Sequence, residues 1–217
     1  NSSDNVSFFL EPDAFDSTGK KLIKDKHAAI NKFGHGLHMV DAEFKKQTIN
    51  PKTVSIAHQL GFKDPRVLQS MVICKQPKIG GEVPTHQDAV FLFTDPQTAI
   101  GFWIALEECT ELNGCLSYLP GSHKNSPVTK RFVRRDSGGT GFIPVGEQGE
   151  VEEKTVDEKD FVQLQCKKGS LVLIHNSVLH SSRKNLSDKS RFAYAFHVID
   201  CVAKYDGFNW LQVPISG

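Results

Sequence analysis

Alternation between apolar and polar residues runs through the second half of the chain and predicts β-strands there. Residues 161–165 alternate one by one, and apolar stretches cover 67–77, 99–106, 170–175 and 191–201. Because successive strand side chains point to opposite faces, each segment can cover a core with one face and leave the other face free. The pattern therefore predicts a mainly β domain.

The first third of the chain carries one predicted strand and two predicted helices. Val6–Leu10 is a short apolar run, which is typical of a strand. Residues 41–48 and 51–60 are predicted helices, and the second is opened by a proline and closed by a glycine. Before them, residues 29–38 hold two glycines and two histidines. This composition favours a tight loop whose histidines make structural hydrogen bonds.

Two of the predicted strands have one bulky face and one face of small residues. The strand at 99–106 has small residues on either side of Trp103, and the last strand has Ala193 and Ala195 on the same face as Arg191. A face of small residues leaves room for something other than side chains. Together with the number of strands, this predicts a small barrel that encloses a ligand.

Arg191 would place a positive charge in this predicted interior. A buried guanidinium is costly unless its charge is paired, and no acidic residue stands at an obvious partner position on the same strand. A small dicarboxylate such as 2-oxoglutarate would supply the partner, because a carboxylate accepts two parallel hydrogen bonds from arginine. Taken alone, Arg191 would be interpreted as one half of a surface salt bridge.

His86, Asp88 and His180 are candidate ligands of a metal ion. Two imidazoles and one carboxylate can hold non-haem Fe(II) on one face and leave the other positions open for a co-substrate and O₂. On an extended strand, the side chains of His86 and Asp88 point to the same side. His175 competes with His180 as the third ligand, and each of these residues alone also fits an ordinary hydrogen-bonding role.

The polar segment 125–160 interrupts the strand pattern and is predicted to be a long insertion loop. Loops of this length inside a compact domain are usually functional or mobile. The basic stretch at 130–135 is typical of a solvated strand edge that charge keeps soluble. The alternative is a grip on an anionic part of a substrate.

Length and charge fit one globular domain, which we expect to span residues 1–217. The formal net charge is +1, which gives no argument for nucleic acid or an anionic membrane as a partner. No apolar run of about 18 residues is present. Five scattered cysteines without a Cys-x-x-Cys pair indicate reduced thiols, so we expect a cytoplasmic protein that acts on a small molecule. Because the chain opens on Asn1, we also expect that an N-terminal segment precedes it.

Several motifs together resemble the phytanoyl-CoA dioxygenase family. They are His86-Gln87-Asp88, Asn113-Gly114-Cys115-Leu116, Pro120-Gly121-Ser122-His123-Lys124, and the stretch from Gly169 through His175 to His180-Ser181-Ser182 with Arg191. Four further stretches, at 30–32, 69–71, 75–77 and 185–188, resemble one branch of that family. The resemblance covers nearly the whole chain and is weakest at 125–160. It implies a double-stranded β-helix, a jelly-roll barrel flanked by α-helices.

The resemblance also implies a set of site residues. It makes His86, Asp88 and His180 the ligands of Fe(II). The spacing to Arg191 then favours His180 over His175 as the third ligand. The implied contacts of 2-oxoglutarate are the three ligands together with Lys32, Met71, Trp103, Ser182 and Arg191.

The expected function is that of an Fe(II)- and 2-oxoglutarate-dependent dioxygenase. Such an enzyme uses O₂ to couple oxidative decarboxylation of 2-oxoglutarate, which yields succinate, to hydroxylation of an organic substrate. Here that substrate would be an acyl-CoA or another small metabolite. Two alternatives remain: a hydrolase with another divalent metal such as zinc, and a non-catalytic barrel that binds a metabolite as a sensor or partner module. The sequence gives no indication of the oligomeric state.

Overall fold

The computed structural model describes residues 5–146 and 156–212. This part of the chain is mainly β, as the alternation predicts. Its strands are β1 (Val6–Leu10), β2 (Ile30–His35), β3 (Pro65–Lys75), β4 (Val83–His86), β5 (Thr94–Asp95), β6 (Ile100–Ala105), β7 (Leu116–Tyr118), β8 (Lys130–Arg134), β9 (Thr140–Pro144), β10 (Val162–Leu164), β11 (Leu171–His175), β12 (His180–Ser182), β13 (Arg191–Asp200) and β14 (Lys204–Tyr205).

Short helices accompany the strands. The α-helices are α1 (Leu37–Val40), α2 (Ala42–Thr48), α3 (Pro51–Gln59) and α4 (Ser122–Asn125), and 3-10 turns lie at Pro12–Ala14, Asp88–Val90 and Glu158–Asp160. Asp41 caps α2, and Asn50 caps α3, because each side chain accepts hydrogen bonds from backbone N–H groups of the first turn. Gly61 follows α3 with a φ of +93°, which suits a glycine. The two helices predicted from the sequence are confirmed.

Two antiparallel sheets build the barrel. The larger sheet has the strand order β1-β2-β3-β13-β6-β11, and the smaller has the order β10-β7-β12-β4. Residues of both sheets line one cavity between them. The arrangement is a jelly-roll barrel, the double-stranded β-helix that the resemblance implies, with helices at its flank.

The outer face of the larger sheet carries the main hydrophobic core. Helices α1 and α3 pack on it, and the bulky face of β13 lies beneath them. Each fully buried large apolar side chain contributes about 1.5–3 kcal/mol, so this layer fixes the sheet against the helices. Its buried residues are Leu37, Ala57, Phe62, Val72, Cys74, Phe102, Tyr194, Phe196 and Val198.

The inner face of the same sheet is built from smaller residues and borders the cavity. Ala193 lies opposite Ala105, and Ala195 lies opposite Trp103. Ala195 and Trp103 both line the cavity. The unequal faces predicted from alternation are confirmed, since the bulky face supports the core and the small face leaves space inside the barrel.

Residues 29–38 do not form the predicted tight loop. They contain β2 and α1 instead. The prediction was wrong because β2 is paired on both sides, with β1 and with β3, so the ladder hydrogen bonds outweigh the glycine signal. His38 makes the expected structural hydrogen bond, since its Nδ1 lies 2.7 Å from Ser70 Oγ. His35 lines the cavity.

Part of the segment 125–160 is a hairpin formed by β8 and β9. Phe132 lies opposite Phe142 in its ladder, and Arg131 forms an ion pair with Asp206 at 3.1 Å. Residues 147–155, which include much of the acidic run, lie outside the described residues. That the whole segment is an insertion in a single domain stays a prediction.

Candidate active site

The three predicted metal ligands converge at one place on the cavity wall. Strand β4 ends at His86, and β12 begins at His180 directly opposite it. Asp88 was expected on the strand, but it opens the 3-10 turn that follows. Gln87 between them keeps an extended backbone, so His86 and Asp88 still turn to the same side. Their ligand atoms approach closely, with His86 Nε2 and His180 Nε2 at 3.6 and 3.7 Å from Asp88 Oδ1.

Hydrogen bonds on the far side of each imidazole prepare its Nε2 atom for a metal. His86 Nδ1 donates to Pro84 O at 2.8 Å, and His180 Nδ1 donates to Val178 O at 3.0 Å. Because a carbonyl oxygen only accepts, each Nδ1 carries the proton and each Nε2 presents its lone pair. The separations from Asp88 Oδ1 are longer than hydrogen bonds, as expected for atoms that would share one ion.

The charges of the three side chains bear on metal binding. Burial opposes protonation of His86, but the nearby carboxylate of Asp88 raises the pKa of its ring, so a metal there would compete with a proton. Burial opposes ionisation of Asp88, but the neighbouring His197 and His180 hold the pKa of its carboxyl well below the usual value. Burial lowers the pKa of His180 and favours its neutral form. An ionised carboxylate with two imidazoles is the donor set of a non-haem Fe(II) centre, so these residues fit that metal. Among the described residues, this is the one such group whose ligand atoms all lie within 4.8 Å of one another.

His175, the competing candidate for the third ligand, lies elsewhere. It is exposed at the end of β11, and its ring packs against His123 with centroids 5.1 Å apart. The structure thus brings His180, and not His175, to Asp88.

Arg191, Ser182 and Trp103, which are predicted contacts of 2-oxoglutarate, form a second part of the cavity wall, which we name the co-substrate end after that prediction. Arg191 is only 1% exposed, and its Nη2 donates to Ser182 Oγ at 3.1 Å. Its guanidinium carbon lies 5.4 Å from the centre of the Trp103 ring. The Nε and Nη1 atoms of Arg191, and Nε1 of Trp103, are buried without a hydrogen-bond partner among the described residues.

The positive charge of Arg191 therefore has no counterion among the described residues. Burial lowers the pKa of its guanidinium, but arginine remains protonated in proteins. In the described part of the chain no carboxylate forms an ion pair with it. A buried cation with two free N–H groups is the complement of an anionic ligand that offers a carboxylate.

Lys75 is a buried cation at the same end that the sequence analysis missed. It lies directly opposite Arg191 on β3, and its Nζ donates to Gly81 O at 2.7 Å and Arg183 O at 2.6 Å. Burial, and then the charge of Arg191, lower the pKa of Lys75 to about 7. The signal was present in the sequence, because Lys75 continues the alternation that places Met71 on the inner face.

All eight residues predicted as site residues line one cavity of about 1420 Å³. Met71 lies on β3 beside Ala195 and is buried. Lys32 lies on β2 and is half-buried, and its Nζ lies 5.2 Å from the centre of the Phe9 ring. Burial lowers the pKa of Lys32. The structure thus brings Lys32 and Met71 to the same cavity as the ligands and Arg191.

His197 and Gln69 connect the metal ligands to the larger sheet, and the sequence analysis missed both. His197 Nε2 lies 3.2 Å from Asp88 Oδ2, and His197 Nδ1 lies 3.2 Å from Gln69 Nε2. Gly101 makes room for this pair, since a Cβ atom there would lie 3.3 Å from His197 Nε2. Alternation along β13 from Arg191 would have placed His197 on the inner face.

The outer part of the cavity is lined by aromatic rings, which we name the aromatic wall. Neighbouring rings in it are in contact: Phe132 and Phe142 have centroids 4.9 Å apart, and Phe91 and Phe142 have centroids 6.1 Å apart. No periodic signal joins these residues, because they come from distant segments of the chain. The wall consists of Phe9, Phe91, Phe132, Phe142 and Trp210.

Two further observations concern the whole described chain. All five cysteines are free thiols. None of the helices in residues 5–146 and 156–212 combines the length and apolar character needed to cross a membrane.

The sequence matches known proteins along most of its length. A family model described as phytanoyl-CoA dioxygenase (PhyH) matches residues 1–193. A protein of Arabidopsis thaliana named phytanoyl-CoA dioxygenase is 47% identical over 212 residues, which cover 97% of this chain and 71% of that protein. The phytanoyl-CoA dioxygenase domain-containing protein 1 homolog of Caenorhabditis elegans is 46% identical over 218 residues, covering 98% and 73%.

Solved structures share the fold at lower identity. EctD from S. alaskensis, solved with 2-oxoglutarate and 5-hydroxyectoine, has a TM-score of 0.63 at 18% identity, covering 93% of this chain and 65% of that one. The non-heme alpha ketoglutarate dependent carbocyclase SnoK has a TM-score of 0.59 at 21% identity, covering 87% and 69%. At these identities the likeness establishes the jelly-roll fold.

Proposed function

The chain belongs to the phytanoyl-CoA dioxygenase family, and on that premise we propose that it is an Fe(II)- and 2-oxoglutarate-dependent dioxygenase. It would couple oxidative decarboxylation of 2-oxoglutarate, which yields succinate, to hydroxylation of a small organic substrate. One observation carries this proposal: a cluster of two histidines and one aspartate opens into the same cavity as a buried arginine with unpaired N–H groups.

Each residue of the two clusters has a role in this proposal. His86, Asp88 and His180 would hold the metal through Nε2, a carboxylate oxygen and Nε2. When bound, Fe(II) with 2-oxoglutarate and O₂ supplies the oxidising chemistry. The side-chain hydrogen bonds of His86 and His180 to backbone carbonyls keep both rings in the tautomer and orientation that a metal needs.

The co-substrate end would bind the distal carboxylate of 2-oxoglutarate. Arg191 offers two unpaired N–H groups, and Ser182 holds its Nη2. Because Ser182 Oγ donates to Gly114 O at 2.9 Å, this hydroxyl accepts from Arg191 and fixes the direction of the guanidinium. Lys32, Met71 and Trp103 would complete the co-substrate contacts, and burial of all but Lys32 keeps water from this end.

The experiment that tests this function measures succinate and CO₂ formation from 2-oxoglutarate with candidate substrates. We expect turnover with Fe(II) and none with Zn(II), because zinc has no redox chemistry. His180→Ala should lower metal affinity at least 100-fold and abolish succinate formation. The matched control is His175→Ala, which alters an exposed histidine of the same strand-turn unit and should leave both quantities unchanged.

Two results would contradict the proposal. Hydrolytic turnover with Zn(II) would favour a zinc hydrolase. Tight binding of 2-oxoglutarate and metal without succinate formation by any substrate would favour a non-catalytic sensor or partner module.

The cytoplasm is the proposed location, and a small molecule is the proposed partner. The support is the five free thiols and the ligand-sized cavity.

A further inference from the structure

Buried polar atoms that lack a hydrogen-bond partner among the described residues concentrate on the cavity. Of the seven residues in the described part of the chain that carry such atoms, His38 and Asn209 lie away from the cavity, and the other five line its wall: Glu11, His35, Gln69, Trp103 and Arg191. Native proteins satisfy nearly all buried polar groups, so such atoms mark places where a ligand completes the hydrogen bonding. Trp103 and Arg191 belong to the co-substrate end. Gln69 lies opposite His197 on β3, and His35 lies opposite Ser70 on β2. Neither residue is among the predicted contacts of 2-oxoglutarate.

The polarity of the free Gln69 atom follows from its contact with His197. An amide nitrogen only donates, so Gln69 Nε2, which lies 3.2 Å from His197 Nδ1, donates to that ring nitrogen. The other ring nitrogen, His197 Nε2, lies 3.2 Å from Asp88 Oδ2. This leaves Gln69 Oε1 as the buried atom without a partner among the described residues. The cavity therefore presents a hydrogen-bond acceptor at this place, and the ligand must supply the donor.

His35 stands beside the aromatic wall with a free ring nitrogen. Its ring lies 5.4 Å from the Phe9 ring and 5.4 Å from the Trp210 ring, and its Nδ1 has no partner in the described part of the chain. Burial, followed by the charges of Lys32 and His197, lowers the pKa of His35 to about 4. At neutral pH this residue is an uncharged hydrogen-bonding group between two aromatic rings.

We propose that Gln69, His35 and the aromatic wall form the subsite for the substrate to be hydroxylated, and that this substrate is an uncharged, flat or apolar molecule that donates an O–H or N–H to Gln69 Oε1. The proposal rests on the proposed function for the identity of the reaction. A carboxylate at this place would face the Gln69 acceptor oxygen. An ammonium group would meet like charges, because Lys32 Nζ lies 5.2 Å from the centre of the Phe9 ring and Lys130 Nζ lies 5.1 Å from the centre of the Phe142 ring. Because His197 links the Gln69 amide to Asp88, a molecule held by Gln69 Oε1 would bind near the candidate metal ligands.

The test uses three bicyclic probes of nearly the same shape: 1-indanol, which donates, 1-indanone, which only accepts, and indane, which does neither. Dissociation constants are measured by ligand-observed NMR on the full chain loaded with Mn(II) and 2-oxoglutarate. We expect 1-indanol to bind about fivefold tighter than 1-indanone, as one net hydrogen bond provides. Gln69→Leu should reduce this preference to less than twofold and leave the affinity for indane unchanged.

The matched control is Gln59→Leu, at an exposed position of α3, which should keep the full preference. His35→Phe should retain indane binding and weaken both oxygen-bearing probes. Equal affinities of the unaltered protein for 1-indanol and 1-indanone would overturn the proposal. The proposal would also be overturned if none of the three probes bound, because the aromatic wall would then bind no flat molecule. None of these measurements requires turnover, so a failure of the dioxygenase reaction is recognised separately by the succinate assay.

Discussion

The two ends of the cavity differ in how they are built. The co-substrate end stands on paired strands of both sheets, and its Arg191 lies in register with Lys75 on one side. The aromatic wall is assembled from β1, the segment after the Asp88–Val90 turn, the β8–β9 hairpin and the C-terminal part of the described chain. One end carries a buried guanidinium, whereas the other is built mainly from aromatic rings, with the ammonium groups of Lys32 and Lys130 over two of them.

This difference indicates that one end of the cavity is suited to a fixed ligand and the other to a variable one. Strand register places the candidate metal ligands and Arg191 within a rigid frame, as the proposed co-substrate chemistry would require. Apart from Phe9 on the edge strand β1, the wall residues come from connections and a hairpin, which can change without disturbing that frame. We expect substitutions at one end to leave the other end largely intact, and this expectation can be tested from both sides.

The largest effect is expected from removing the charge of the co-substrate end. Arg191→Met should lower the affinity for 2-oxoglutarate about 100-fold, because a charge-assisted bidentate pair contributes roughly 1.5–3 kcal/mol. Metal affinity without co-substrate should stay within about twofold. The measurement is titration calorimetry with 2-oxoglutarate. Arg66→Met, which removes an exposed arginine paired with Asp64, is the control. An unchanged affinity in Arg191→Met would remove Arg191 from the co-substrate end.

Acidification should lower the free energy of unfolding, because two buried histidines are neutral in the folded protein. One of them, His35, lies beside the aromatic wall. The pKa values of His35 and His38 are lowered to about 4 by burial, against the usual 6.5. The unfolded chain therefore binds more protons between pH 6.5 and 4, so stability is lost as the pH falls through this window. By pH 5 each histidine should cost about 2 kcal/mol of unfolding free energy.

Urea denaturation at pH 7 and pH 5 measures this loss. His35→Phe should reduce the difference between the two pH values by about half, whereas His27→Gln, at an exposed position, should not change it. A difference that His35→Phe leaves intact would mean that His35 is not held neutral in the folded protein.

The smallest effect is expected from thinning the aromatic wall. Phe142 is 47% exposed on the β8–β9 hairpin, so Phe142→Ala should cost little stability. It should weaken indane binding about threefold, because less apolar surface of the probe is then removed from water. The affinity for 2-oxoglutarate should not change. A fall in co-substrate affinity in this variant would show that the two ends are coupled.

The sequence was sufficient to predict those features that depend on regular alternation. The small face of β13 and the small residues around Trp103 indicated an interior with space, and the register confirms it. His86 and Asp88 reach the same side although Asp88 lies on a turn, because Gln87 keeps an extended backbone. Extending the same alternation would also have identified Lys75 and His197.

Other features could not be predicted because they depend on packing between distant segments. The strand β2 has the composition of a loop, and only its pairing with two neighbours makes it a strand. The residues alone left His180 and His175 as competing ligands, and only the family resemblance, with its spacing to Arg191, favoured His180. The pairing of β12 with β4 gives the physical reason for that choice. The aromatic wall joins Phe9 and Trp210, which lie 201 positions apart in the chain (210 − 9 = 201).

The chain has two tryptophans, and the barrel places one at each end of its cavity. Trp103 lies under the Arg191 guanidinium, and Trp210 lies edge-on to His35. Indole emission responds to nearby charge and polarity, so each end of the cavity has its own intrinsic fluorophore, which would report on the ligand proposed for that end. Replacing either indole by phenylalanine would separate the two signals, and the order in which co-substrate and substrate arrive could then be followed in real time without any label.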